Sequence, residues 1–351
     1  EKKIKEFHFP YLKVVVKQDG NEIFNFNKSL FENNKDILIM HSMSKVITVV
    51  AFMQIFEKGL VDPDDKVSDY LEGFDDLHLL NGSKVMTPLK IKHLLTMTGG
   101  LDYNIYRDAV KEKLSKFPNV YAKDLVSAFV KDGLLFEPGT KFNYSLCMDV
   151  VGAVIEKVTG LSLQKYIKKN IFKPLNMKNS TFKYNKRIIK KTVPEYRYNG
   201  TDLVEVGRDV HLITIGKNYF SGGSSLISTI EDYSKFTDAL VRGKLITAKS
   251  IGIMATSYID DTPFTKEVEE YSKSNEEYGY GYGVRVRKVS KHNIPIGEFG
   301  WDGSTGSYCL CDAKNKISIV VGLTVQCWPS YIKDFHIRLS EKIYDCLSIK
   351  K

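Results

Sequence analysis

Cysteine is scarce in this chain of 351 residues, and the five present (Cys147, Cys309, Cys311, Cys327 and Cys346) form an odd set with no C-x-x-C pair. That spacing supports neither a disulfide framework nor a thiolate zinc site. Cys309 and Cys311 would share one face of a single strand, too far apart for an unstrained bridge. Reduced thiols favour a cytoplasmic location, although a chain that starts at Glu1 leaves a removed leader and an extracytoplasmic location open. Long hydrophobic runs are also missing. The longest, Val46 to Phe56, is too short to span a bilayer, so stable membrane insertion is not expected. There is no G-x-S-x-G elbow, no H-E-x-x-H, no Walker loop and no pair of histidines at metal spacing. No metal or cofactor is expected on these grounds.

The net charge of +9 raises the question of a nucleic acid or an anionic surface as partner. The densest basic cluster, Lys183 to Lys191, contains only Tyr184 as an aromatic and has no zinc-finger or recognition-helix pattern around it. A solvated basic face is the simpler reading, and no nucleic-acid partner is expected. With 43% hydrophobic and 26% charged residues, the composition is that of an ordinary globular protein. No internal repeat is present.

The elements read as mixed α and β. Val14 to Val16, a turn at Gln18-Asp19-Gly20-Asn21 and Ile23 to Phe26 form a β-hairpin pattern. Asp36 to Met40 reads as a strand running into an apolar helix from Val46 to Lys58, stopped by Gly59 and Pro63. Further helices are expected from Thr87-Pro88, as cap and first residue, to Leu95, over Lys123 to Lys131, and over Met148 to Val158, closed at Gly160. Strands return at Tyr280 to Val286, Glu298 to Gly300, Ser307 to Leu310 and Ile317 to Val325, before a last amphipathic helix from Tyr331 to Leu347. The expected fold is α/β, of the α+β kind, with an antiparallel sheet flanked by helices and a mainly helical insertion. The sheet domain would comprise 1–62 and 215–351, and the insertion 63–214.

Ser42-Met43-Ser44-Lys45 stands at the junction of the first central strand and helix. Residues three apart on a helix face the same way, so the Lys45 amine can reach the Ser42 hydroxyl, and the helix N-terminus favours an oxyanion there. The same spacing recurs at Ser162, Ser180, Ser330 and Ser348, but only Ser42 has an apolar strand before it and a long apolar helix after it. Other features have blander readings. Tyr278-Gly279-Tyr280-Gly281-Tyr282-Gly283 lacks the full spacing of a phosphate loop and reads as a strand entry. His41 reads as a satisfied core or edge histidine, and Cys147 as a buried thiol.

Five motifs occur in a telling order. They are Ser42-Met43-Ser44-Lys45, the stretch Ile91 to Leu101 (IKHLLTMTGGL), the stretch Phe136 to Ser145 (FEPGTKFNYS), Ser221-Gly222-Gly223 and Gly300-Trp301-Asp302-Gly303. Together they make the chain resemble the superfamily of class C β-lactamases, DD-peptidases and related serine esterases, over about residues 14 to 345. The resemblance implies Ser42 as acylated nucleophile, Lys45 as its basic partner and Tyr144 as base or proton shuttle. It implies an oxyanion hole from the backbone N–H groups of Ser42 and Ser304, and substrate contacts from Leu146, Trp301, Asp302 and Gly303.

Two departures carry meaning. The β-lactamase pattern has asparagine where this chain has Leu146, and lysine where it has Trp301. Both changes weaken the case for β-lactam hydrolysis and favour the esterase-like branch. Asp302 would oppose an oxyanion unless strand alternation turns it away from Trp301. The expected activity is a serine hydrolase acting through a Ser42 acyl-enzyme on small esters or acylated metabolites. The alternatives are DD-peptidase or β-lactamase chemistry on an amide, and a non-catalytic ligand-binding or sensing protein. Oligomeric state is left open.

Overall fold

The computed structural model describes residues 9–31, 36–208, 215–268, 277–326 and 331–347. Cys327, Ser330 and Ser348 lie outside them. The strands in chain order are β1 (Tyr11–Gln18), β2 (Asn21–Ser29), β3 (Leu38–Ile39), β4 (Glu195–Tyr198), β5 (Leu203–Gly207), β6 (Ile227–Ser228), β7 (Tyr278–Tyr280), β8 (Arg285–Arg287), β9 (Phe299–Asp302), β10 (Tyr308–Asp312), β11 (Ile317–Leu323) and β12 (Val325–Gln326). Seven of them form one antiparallel sheet in the order β2-β1-β11-β10-β9-β8-β7. The chain's first hairpin thus inserts beside its last strands, as the sequence pattern indicates. Asp19 and Gly20, both at positive φ, make the two-residue turn between β1 and β2.

Period-two alternation divides the sheet into two cores. Val15, Val320, Cys309, Cys311 and Phe299 face the helices Ser44–Phe56 and Ile230–Val241. Leu12, Val14, Val16, Tyr308, Leu310, Ile319 and Val321 face the Tyr331–Cys346 helix, whose Phe335, Leu339, Ile343 and Tyr344 cover them. The Ser44–Phe56 helix is apolar nearly all round and buried along most of its length, so it is a central rather than a surface helix. The Cys147–Thr159 helix packs against it and ends at Gly160 in the left-handed conformation.

Several expectations need correction. Tyr280 to Val286 is not one strand: β7 and β8 pair antiparallel across a turn that holds Gly283 at φ +65. Gly281 in that turn lies so close to Met254 that a Cβ would stand 2.3 Å from its carbonyl oxygen. Thr87 and Pro88 do not start a helix. It begins at Ile91, and the Thr87 N–H donates instead to the Glu137 carboxylate at 3.0 Å. The expected helix from Lys123 to Lys131 is a short α-turn, Ala122–Leu125, followed by a 3-10 turn, Val126–Phe129. Residues 63–214 also carry the β4–β5 hairpin, and β12 pairs parallel with β4. β4 and β12 are short and carry polar residues, and the pairing of β4 with so distant a segment leaves no local mark.

Candidate active site

The segment that presents Ser42 is tightly fixed. β3 pairs with β6, and the Met40 N–H donates to the Leu226 carbonyl at 2.8 Å. His41 then takes φ +45, an uncommon conformation for a non-glycine residue, and a 3-10 turn, His41–Met43, leads into the long helix. The Ser44 hydroxyl locks this turn by donating to the His41 carbonyl at 2.5 Å and accepting from the Leu226 N–H at 2.9 Å. His41 itself is buried and bonded through Nε2 to Glu195 Oε1 at 2.7 Å, while the other Glu195 oxygen accepts from Gln326. It is the satisfied core histidine that the sequence suggests.

Lys45 is fully buried, and its Nζ is ringed by three acceptors: Ser42 Oγ at 3.1 Å, Tyr103 Oη at 3.1 Å and the Gly223 carbonyl at 2.9 Å. Three acceptors match the three donors of an ammonium. A neutral amine can keep two of these bonds as donor and turn its lone pair to the Ser42 hydroxyl. Burial pulls the Lys45 pKa down to about 7, against the opposing pull of Asp149 and Asp302. Both forms are therefore accessible near neutral pH.

Tyr144 closes the other side of the nucleophile. Its hydroxyl donates to Ser42 Oγ at 2.7 Å and accepts from Trp301 Nε1 at 3.1 Å. The Lys45 Nζ stands 4.6 Å from the centre of its ring. The preceding Asn143 anchors this loop through its side chain, donating to the Leu101 carbonyl and accepting from Thr265 Oγ1. Trp301 comes from β9, with Tyr280 edge-on to it at 5.2 Å.

The structure brings Ser42, Lys45, Tyr144 and Trp301 together. Asp302 points to the opposite face of β9, shared with Glu298, and its carboxylate lies 3.8 Å from Arg285, as strand alternation requires. Asp302 is thus turned from the substrate contact expected of it, and two further contacts are corrected. Leu146 is 1% exposed within the core, so it offers no surface to a substrate. Gly303 commits its N–H to the Ser307 carbonyl, and a Cβ there would stand 2.7 Å from the Met40 oxygen. Its role is to let β9 approach the nucleophile turn. The Ser304 N–H donates to no backbone carbonyl among the described residues.

Two residues of this cluster escape the sequence reading. Tyr103 lies just past the motif that ends at Leu101. Its ring is partly exposed, its hydroxyl faces Lys45, and the Asp102–Arg107 ion pair at 2.7 Å holds its loop. Burial, with Tyr144 and Asp149 close by, drives its pKa well up. Asp149 is a lone carboxylate in an otherwise apolar helix run, which is the signal that could have flagged it. It is buried, accepts from the Tyr219 hydroxyl at 2.5 Å, and lies beside Lys45. Burial raises its pKa, while Tyr219 and Lys45 pull it back. The Cys147 thiol is buried, as the sequence suggests, accepts from the Ser145 hydroxyl at 3.1 Å and is pushed up to about 11 by burial. Among the described residues no cluster of metal-ligating side chains exists.

Comparison with known proteins bears on the family and the fold. The Beta-lactamase family profile matches residues 35–336. The ML-236A carboxylate methylbutanoyltransferase of Penicillium citrinum is 26% identical over 274 residues, covering 74% of this chain and 65% of that protein. The chain thus spans slightly under two thirds of that relative's length. Among solved structures, EstCE1, described as a hydrolase with promiscuous acyltransferase activity, superposes with a TM-score of 0.75 at 22% identity, covering 98% of this chain and 95% of that one. The unliganded selenomethionyl simvastatin synthase LovD from Aspergillus terreus gives 0.76 at 18% identity, covering 100% and 97%.

Proposed function

The chain belongs to the β-lactamase family, and on that premise we propose that it is a serine acyl-transfer enzyme of the esterase and acyltransferase kind. The observation that carries this reading is the Ser42 hydroxyl held between Lys45 Nζ and Tyr144 Oη, both within hydrogen-bond distance.

In the first half-reaction Ser42 Oγ attacks the acyl carbonyl carbon and its proton passes to the neutral Lys45 amine. The backbone N–H groups of Ser42 and Ser304 receive the oxyanion. The carbonyl re-forms, the ester C–O bond breaks, and the leaving oxygen takes a proton through Tyr144, which the Trp301 N–H keeps aimed at the site. Water or an alcohol then repeats the sequence on the acyl-enzyme, giving an acid or a new ester. In the same reading 63–214 is a unit inserted into a sheet unit of 1–62 and 215–351. The sheet unit supplies Ser42, Lys45 and Trp301, and the insertion supplies Tyr103, Tyr144 and Asp149.

The substrate we propose is a small ester or acylated metabolite. Trp301 puts an indole where a β-lactamase has a lysine for the substrate carboxylate. Leu146, sunk in the core, supplies no amide contact either. Both the mlcH-type methylbutanoyltransferase and EstCE1 are described as acting by acyl transfer or hydrolysis, which supports the same choice.

A p-nitrophenyl ester assay with and without an added alcohol tests the proposal. The expected result is release of nitrophenol, with part of the acyl group captured by the alcohol, and neither in Ser42→Ala. Equal turnover by wild type and variant would reject it. Acylation by penicillins in preference to esters would favour the β-lactamase reading instead.

A further inference from the structure

The positive charge of this protein is not spread evenly. Between Leu161 and Lys191 there are ten basic residues (nine lysines and Arg187) and no aspartate or glutamate. Removing those ten from the chain's 51 lysines and arginines leaves 41 against 42 acidic residues, so this one stretch accounts for the whole excess. All ten are exposed, and none forms an ion pair among the described residues.

The stretch is one folded face rather than a loose tail. Ser162 caps the Leu163–Ile167 helix, which continues into a π-turn, Lys168–Phe172. Gln164 Oε1 accepts from the Phe182 N–H, and the Phe172 and Phe182 rings stack at 6.3 Å, so the segment from 164 to 182 folds back on itself. Asn185 caps the Lys186–Ile189 turn, whose Ile188 and Ile189 pack on Ile39 of β3 and Ile227 of β6. The two carboxylates that bond backbone N–H groups of this stretch from outside it are engaged elsewhere as well. Asp232 accepts from the Asn179 N–H at 2.7 Å and binds Lys235, and Glu156 is buried and accepts from the Leu163 and Lys123 N–H groups.

We propose that this face adsorbs the protein to an anionic membrane surface, with lipid phosphate headgroups as the partner. Ten exposed cations without an ion pair, gathered in one folded stretch of a chain that is otherwise balanced, create a field for a negative surface. No helix among the described residues is long and apolar enough to cross a membrane, so binding is peripheral. The chemistry fits headgroups better than nucleic acid. Lysine, a mobile point charge, outnumbers the arginine fork nine to one, and of the four aromatic rings Tyr166, Phe172 and Phe182 are buried and Tyr184 is half-buried against the Ile39–Ile227 cluster, so they form no open platform for stacked bases. The proposal does not depend on the catalytic reading.

Vesicle co-sedimentation tests it with the full chain. Wild type should partition onto vesicles of mixed phosphatidylglycerol and phosphatidylcholine and not onto phosphatidylcholine alone. Binding should weaken when salt shortens the screening length below about 10 Å. Replacing Lys168, Lys169, Lys183, Lys186 and Lys190 by Gln should weaken partition by about a hundredfold or more, given the usual gain per basic residue at such a surface. A control variant with Gln at Lys58, Lys141, Lys244, Lys249 and Lys314, exposed residues outside the face, should bind within about threefold of wild type. An unchanged melting temperature and an unchanged rate of labelling by a fluorophosphonate show that both variants fold. Equal binding to neutral and anionic vesicles, an equal loss in the control variant, or tighter binding to duplex DNA than to anionic vesicles at the same salt would each overturn the proposal.

Discussion

The Tyr144 hydroxyl lies 2.7 Å from Ser42 Oγ, closer to the nucleophile than Lys45 Nζ at 3.1 Å. It also accepts from the Trp301 indole N–H. The tyrosine is thus held from two sides with its proton directed at the serine, which suits delivery of a proton to a leaving group more than its removal from the nucleophile. Tyr144→Phe should lower kcat by about 10²–10⁴. Trp301→Phe, which removes one donor and keeps an aromatic ring, should lower it by about tenfold. Steady-state kinetics on a p-nitrophenyl ester measures both.

The burial of Lys45 sets a pH dependence with a definite sign. Its pKa falls to about 7, and only the neutral amine can accept the Ser42 proton. The acylation rate should therefore rise with pH through about 7 and level off above it. A rate that falls through the same range would instead make the ammonium the active form and Tyr144 the base. Pre-steady-state bursts across pH 5 to 9 read this directly, at roughly the spacing a single titration requires.

Asp149 favours the charged form of Lys45. Asp149→Asn keeps an acceptor for Tyr219 and removes the negative charge, so the Lys45 pKa should fall further. The acidic limb of the pH profile should move to lower pH. A limb that stays in place would confine Asp149 to a structural role. The same burst experiment on the variant gives the answer.

Gly223 is another point of leverage. A Cβ there would stand 2.9 Å from Asp149 Oδ2 and 3.3 Å from Lys45 Nζ. Gly223→Ala should push the amine off its three acceptors and slow acylation by about ten- to a hundredfold, because small misplacements of a reacting group cost rate steeply. Circular dichroism and the melting temperature separate this from loss of fold.

Glu195 acts on stability. Its carboxylate bonds the buried His41, the residue held at positive φ just before the nucleophile. Glu195→Ala leaves His41 Nε2 and the Gln326 amide without that partner and should cost about 1–3 kcal/mol. Urea denaturation measures it.

The site was legible in the sequence where its geometry is local or its motif dense. Ser42 and Lys45 are three residues apart at the start of one helix, so their meeting follows from helical geometry alone. Tyr144 and Trp301 came from motif order, and Asp302 from the alternation of a strand. Tyr103 and Asp149 were missed because their contacts with Lys45 arise from packing between segments 58 and 104 positions apart. The fold shows the same division. The β1–β2 hairpin and the Cys147–Thr159 helix are written in turn chemistry and periodicity. The β4–β5 hairpin leans on β12, far along the chain, and the alternating tyrosine and glycine of β7 and its turn read equally as one strand or as two.

Intact-mass analysis of the protein mixed with a short-chain activated ester, quenched in acid within the first turnovers, goes to the centre of the account. Wild type should gain one acyl group, located on the peptide that carries Ser42, and Ser42→Ala should gain none while retaining its fold. Turnover without any adduct under these conditions, or the same adduct on the Ser42→Ala variant, would contradict it.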